Sequence, residues 1–477
     1  MPRRIRLNAS LIIAFQKGAH CLLKNGCVVV EDNVIVHVGR DFEGECEETI
    51  ALDGFVITPG LINTHSHLTG SPLDKSFIED VGGRQFYMSG LPEMLPARAA
   101  ATDAEMEAAA IEYSMIELIR TGTTTFMEIG FRGQDVAAEA ERCGLRAYIG
   151  EAYSSGRWFT QDGHRMSYTW KEDGGLPGFQ AATEFIEKMQ GRANGRISGF
   201  LSPLQVALTT PELLKASRAA SERLRVPLAL HVAEAVFEFD EMVQRHGMTP
   251  IEYLDHVDFL NDWCILGHVI FTAGNSWVQF PGDDLKRLAD SGASVAHCPW
   301  VFARRGIAME SFASYQRAGV NLCLGTDTAP QSMIEAMRWA AVIGKIKGRS
   351  STSPTALDIF NAATINAAKM LHRDDLGRLA PGAKADLLCW DGASIFMSPV
   401  RDPLRNIVYS AQAEDLKHSM IDGHWAMWER VVCAGDERSA TRKLQTAAER
   451  MWKAVGPGDW AGRTTEQLSP MSIPMFD

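Results

Sequence analysis

Short runs of apolar residues, each closed by a polar cluster, alternate with amphipathic stretches through the middle of this chain. Between residues 59 and 378, eight such runs end near His67, Glu128, Glu151, Gln205, Glu234, His268, Trp300 and Asp327. Short continuous apolar runs suit strands buried on both faces. Between them, 103–121, 210–225 and 282–292 carry an amphipathic helical pattern, and Thr102-Asp103-Ala104-Glu105 resembles a helix start. Eight strand–helix alternations predict an α/β fold, a (β/α)8 TIM barrel. The rival, a doubly wound sheet, lacks support because no G-x-G-x-x-G follows a strand.

Both flanks of this region have a different texture. Near the start, Cys27-Val28-Val29-Val30, a polar turn at Glu31-Asp32-Asn33, and Val34-Ile35-Val36-His37-Val38 predict a hairpin. Similar strand-like text returns at 385–390, at Asn406-Ile407-Val408-Tyr409 and at 418–423. These segments predict one small β-sandwich domain built from both chain ends, residues 1–58 and 379–435, around a catalytic barrel of residues 59–378. Residues 436–477 read as a C-terminal helix over 437–455 and an irregular tail with Trp460, Pro470 and Pro474.

Composition narrows the class. With 46% hydrophobic and 22% charged residues, the 477-residue chain is globular. No apolar run reaches the roughly 18 residues that span a bilayer, so an integral membrane protein is not expected. A formal charge of −12 argues against non-specific nucleic-acid binding. The three arginines and the apolar stretch near the N-terminus are followed by no A-x-A-like cleavage site, so the chain reads as cytoplasmic. Nine cysteines with no C-x-x-C read as buried free thiols.

Candidate chemistry lies at the ends of the predicted strands, where barrels carry their active sites. Run one ends Asn63-Thr64-His65-Ser66-His67, run five His231-Val232-Ala233-Glu234, run six Gly267-His268, run seven His297-Cys298-Pro299, and run eight Gly325-Thr326-Asp327. Residues two apart on a strand face the same side, so His65 and His67 can reach one metal. A lone histidine in an apolar strand is usually structural. Five at strand ends are another matter, because burying so many polar rings without a shared task is costly.

These segments, with Pro59-Gly60-Leu61-Ile62 before them and Gly377-Arg378-Leu379-Ala380-Pro381-Gly382-Ala383-Lys384-Ala385-Asp386-Leu387 after them, resemble the amidohydrolase superfamily, in its cytosine/guanine deaminase and chlorohydrolase branch. The resemblance spans about residues 25–425. It implies a metal site of His65, His67, His231 and Asp327. Three imidazoles and a carboxylate suit Zn²⁺ or Fe²⁺, zinc first, and leave a position for water. Members with two metals carry a carboxylated lysine at the end of strand four. Residues 197–205 contain no lysine, so one metal is expected. The resemblance also implies catalytic roles for Glu234, His268 and Asp327: Asp327 as base, His268 orienting the water or the electrophile, and Glu234 protonating a ring nitrogen or leaving amine.

The loops depart from the branch. After His297-Cys298-Pro299 the chain reads Trp300-Val301-Phe302-Ala303-Arg304-Arg305, where Ser and Asn are usual. His297, Trp300, Phe302, Arg304 and Arg305 are therefore candidate substrate contacts, the aromatics as a wall and an arginine for a carboxylate or carbonyl oxygen. The expected activity is hydrolysis of a non-peptide C–N bond in a small molecule, by deamination of an N-heterocycle or by amide, urea or carbamate cleavage. Hydrolytic dechlorination or thiocarbamate C–S cleavage at the same site is the alternative, and a catalytically dead scaffold the remote one. The resemblance also implies a homo-oligomer, most simply a dimer. The tail, with Trp452, Trp460, Met471 and Phe476, offers apolar surface for it.

Overall fold

In the computed structural model, which describes residues 3–83, 86 and 90–476, strands gather at the two chain ends and around a central ring. The chain opens with β1 (Arg4–Gln16), β2 (Ala19–Glu31), β3 (Val34–Gly39) and β4 (Glu48–Pro59). The ring follows as β5 (Leu61–Ser66), β6 (Thr123–Gly130) and β7 (Arg146–Tyr153). A hairpin of β8 (Gly156–Phe159) and β9 (Ser167–Trp170) interrupts it. The ring resumes with β10 (Ile197–Pro203), β11 (Leu228–Val232), β12 (Cys264–His268), β13 (Ser294–His297) and β14 (Asn321–Leu324). The chain then returns to the first sheet with β15 (Leu387–Asp391), β16 (Leu416–Ile421), β17 (His424–Trp428) and β18 (Val431–Val432).

The ring is an eight-stranded parallel sheet in sequence order. It closes where Ser66 bridges Asp327 in parallel and Thr326 N donates to His65 O at 3.1 Å. Ile62, Met127, Tyr148, Phe200, Ala229, Ile265, Ala296 and Cys323, one from each strand, fill its interior. This is the predicted barrel, with a packed core in place of a pore. Helices form where expected. Asp103 caps Ala104–Arg120, its carboxylate accepting from Glu105 N and Met106 N, and Thr210 caps Pro211–Leu224.

The chain ends share the second sheet, in the order β18-β17-β16-β15-β4-β1-β2-β3. Antiparallel pairing of β15 with β4 joins the two ends. A buried ion cluster ties this sheet to the barrel. Arg146 Nε lies 2.9 Å from Asp386 Oδ2, and Arg146 Nη2 lies 3.0 Å from Asp422 Oδ1. Removing either partner would strand a buried charge. The Asp of the Ala385-Asp386-Leu387 motif is thus an anchor between sheets.

One expectation fails. Residues 406–409 are not a strand but the end of the helix Pro403–Tyr409. The reason lies upstream: the Asp402 carboxylate accepts from Arg405 N at 3.4 Å, and Pro403 favours the first helical turn. The tail also differs in part. The helix Glu437–Trp452 and Leu468 pack against the segment after β5, while Met471, Ile473, Met475 and Phe476 are exposed. All nine cysteines are free thiols, but only six are buried: Cys21 and Cys433 are exposed and Cys46 is half-buried. Among the described residues no helix is long and apolar enough to cross a membrane.

Candidate metal centre and the cavity above it

The end of β5 is fully buried and polar, and each polar side chain there has a task. Asn63 Nδ2 donates to Thr326 Oγ1 at 2.7 Å, Thr64 Oγ1 to Leu324 O at 2.8 Å, and Ser66 Oγ to Met127 O at 2.7 Å. These bonds fix β5 against both neighbours. Two backbone bonds then lock Asp327 to the histidine strand: Asp327 N donates to His65 O at 2.9 Å and His67 N to Asp327 O at 2.8 Å. Asp327 adopts a left-handed backbone, φ 63°, which aspartate tolerates better than most residues. Across the ring, β11 and β12 pair so that His231 faces Gly267. A Cβ on Gly267 would stand 2.6 Å from His65 Cε1, so only glycine leaves room for that ring.

The result is a convergence of lone pairs. Donor atoms of His65, His67, His231 and Asp327 all lie within 4.8 Å of one another. His67 Nε2 is 3.2 Å from His231 Nε2 and 3.2 Å from Asp327 Oδ1, and His65 Nε2 is 3.4 Å from the same oxygen. His231 Nδ1 donates to Leu204 O at 2.6 Å, and His67 Nδ1 donates to Ile129 O. Each carbonyl fixes the proton on Nδ1 and leaves Nε2 an acceptor. Two facing acceptors beside a carboxylate repel unless a cation sits among them. His65 Nε2 is buried without a hydrogen-bond partner. The donor set fits a divalent ion.

A buried carboxyl adjoins this cluster. Glu234 is buried, and its Oε1 accepts from Gln205 Nε2 at 2.7 Å; Gln205 Oε1 in turn accepts from Trp158 Nε1 at 3.0 Å. Burial, with Glu238 and Asp327 nearby, pushes the Glu234 carboxyl well above the usual carboxylate range. Glu238 supports the turn from below, accepting from Ala233 N at 2.7 Å and Glu234 N at 3.2 Å. His268 Nε2 lies 3.6 Å from Glu234 Oε2 and 4.0 Å from Asp327 Oδ2, between acid and carboxylate. Burial pushes its pKa well down, so it stays neutral. His231, Glu234 and His268 form a second trio that shares His231 with the first group, so the two outline one site.

Above the cluster opens a cavity of about 250 Å³. Of the five expected substrate contacts, Phe302 and Arg305 line it, and His297, Trp300 and Arg304 do not. Trp300 turns to Trp339, ring centroids 5.1 Å apart, because it sits opposite Phe302 on the short helix Pro299–Ala303. Arg304 is held by Thr328 Oγ1 at 2.8 Å, Ala329 O at 3.1 Å and Glu79 Oε1 at 2.9 Å. His297 is buried against Phe312, and burial lowers its pKa to about 4. Gln205, Trp158, Asp74 and Arg98 line the cavity without having been singled out as contacts. Gln205 closes the fourth apolar run, a position that could have marked it. The other three lie on connecting segments with no comparable signal.

The family model described as "Amidohydrolase family" matches residues 56–426. A 5'-deoxyadenosine deaminase of Methanothermobacter thermautotrophicus is 30% identical over 434 residues, covering 90% of this chain and 95% of that protein. Among solved structures, an adenosine deaminase from Xanthomonas campestris with bound zinc superposes with a TM-score of 0.81 at 23% identity, over 94% of this chain and 99% of the other. A mutant atrazine chlorohydrolase from Arthrobacter aurescens TC1, complexed with zinc and atraton, gives 0.80 at 20% identity, over 93% and 100%. The two solved structures bear on the fold alone.

Proposed function

Because the chain belongs to the amidohydrolase family, we propose that this metal-dependent hydrolase of non-peptide C–N bonds removes the exocyclic amino group of an adenine nucleoside as ammonia. One observation carries the reading: a buried acid, Glu234, lines the same cavity as the convergent lone pairs of His67, His231 and Asp327. Breaking this C–N bond by water requires protons on the ring nitrogen and on the departing amino group, and Glu234 and Asp327 stand where they can carry them. The name of the similar archaeal deaminase supports the adenine nucleoside.

His65, His67, His231 and Asp327 would hold the ion, which lowers the pKa of a water from about 15.7 toward 7. The residues then divide the proton work. Asp327 takes the proton of the attacking water. His268, neutral and between Asp327 and Glu234, orients the water against the ring carbon. Glu234, its carboxyl held well above the usual range by burial, donates to the ring nitrogen as the water oxygen adds to the carbon. Asp327 then passes the water's proton to the amino group, which leaves as ammonia, and the added hydroxyl returns its proton to Glu234. Gln205 holds the Glu234 side chain in place. Water adds, ammonia leaves, and the carbon becomes a carbonyl.

The same reading includes one zinc ion per chain, supported by the absence of lysine from 197–205. It also includes the division into 1–58 with 379–435, 59–378 and 436–477, and a cytoplasmic homodimer, supported by the exposed Met471, Ile473, Met475 and Phe476. The test of function is a substrate panel on zinc-loaded protein: adenosine, 5'-deoxyadenosine, an aryl urea and a chlorotriazine. Ammonia from the nucleosides is expected. Chloride from the triazine, with no ammonia from any nucleoside, would replace deamination by dechlorination.

A further inference from the structure

Three arginines stand at or near the cavity wall, and two are occupied by the chain itself. Arg98 Nε pairs with Asp74 Oδ1 at 2.9 Å. Arg304 is bound to Thr328, Ala329 and Glu79. Arg305 is different. It lines the cavity, yet its guanidinium forms no hydrogen bond or ion pair with any of the described residues. It lies against Gly90, where a Cβ would stand 2.5 Å from Nη1, so the chain makes room for it without engaging it. A partly buried guanidinium that the described residues leave without a partner is free to pair with a ligand anion.

Resting on the deaminase reading of this cavity, we propose that Arg305 binds a carboxylate of the substrate, with the amino-bearing ring at the metal end. The preferred substrates are acidic small molecules. A planar guanidinium matches a carboxylate through two parallel N–H donors. Asp74, Glu79 and Asp327 stand close enough to act on the same guanidinium, yet their paired contacts run to Arg98, Arg304 and the histidines. A single guanidinium fork suits a monoanionic carboxylate.

The probes are adenosine-5'-carboxylic acid and adenosine-5'-carboxamide, which differ in the charge at the far end. Zinc-loaded wild type is expected to prefer the acid by roughly tenfold or more in kcat/KM, mostly through KM, as a charge-assisted hydrogen bond implies. Arg305→Met should collapse the ratio toward one, and Arg305→Lys, which keeps charge but not the fork, should retain part of it. Calorimetric binding of the acid to both variants provides a readout that needs no turnover, and Arg305→Lys serves if Arg305→Met does not fold. Equal efficiency on both probes, or a preference that survives Arg305→Met, would overturn the assignment while leaving deamination intact. Arg305-dependent binding of the acid with no ammonia from either probe would instead overturn the deaminase reading and uphold this one.

Discussion

On the floor of the cavity, His65, His67, His231 and Asp327 stand on barrel strands or within three residues of their ends, and backbone atoms hold them: Ile129 O on His67, Leu204 O on His231, His65 O on Asp327 N. On the wall, Asp74, Arg98, Phe302 and Arg305 come from connecting segments; Asp74 and Arg98 hold each other by side chains, and Arg305 has no partner among the described residues. The floor therefore inherits the rigidity of the sheet, and changing one side chain there leaves its neighbours in place. The wall has no such frame, and one substitution shifts several contacts. Barrels separate chemistry from specificity in this way.

The largest effect that would sharpen the contrast belongs to the floor. His67→Ala should lose the bound ion and slow turnover by about 10³-fold or more with the fold intact, read by elemental analysis and circular dichroism. Ion retained at full stoichiometry would break the comparison. Next comes Gln205→Leu, which removes the hydrogen bond to Glu234 but no metal donor. Turnover should fall roughly 10–100-fold at unchanged metal content. Behind the wall, Arg304→Met frees Thr328, Ala329 and Glu79 together. Steady-state kinetics should show KM raised a few-fold and kcat within about twofold, with a lower melting temperature. Trp300→Leu should be smallest, with kinetics within about twofold, since the ring packs on Trp339 away from the cavity. A tenfold loss there would return Trp300 to the substrate wall.

The same division explains how much could be read from the sequence. Strand ends announce themselves, because a buried polar residue closing an apolar run has few other reasons to be there; all four floor residues are visible in that way. Gln205 stood at such an end and was legible as a position but not as the partner of Glu234, which lies 29 residues further on. Trp300 and Phe302 look equivalent in the sequence, but two helical residues apart they face opposite ways. Arg304 and Arg305 differ only in which partners the fold brings near, and no local pattern encodes that. Residues 406–409 show the converse error, where a short apolar pair reads as strand until the Asp402–Pro403 cap upstream is weighed.

The central claim is that Glu234 delivers a proton to the ring nitrogen beside the carbon whose C–N bond is broken at the metal site. It is tested most directly by single-turnover ammonia release from 5'-deoxyadenosine, comparing zinc-loaded wild type with Glu234→Gln at matched metal content. The amide keeps the size of the side chain but cannot carry the proton. The account predicts one ammonia per substrate from wild type, and a variant slower by about 10²–10⁴-fold with substrate affinity little changed. Ammonia release by Glu234→Gln at the wild-type rate would contradict it.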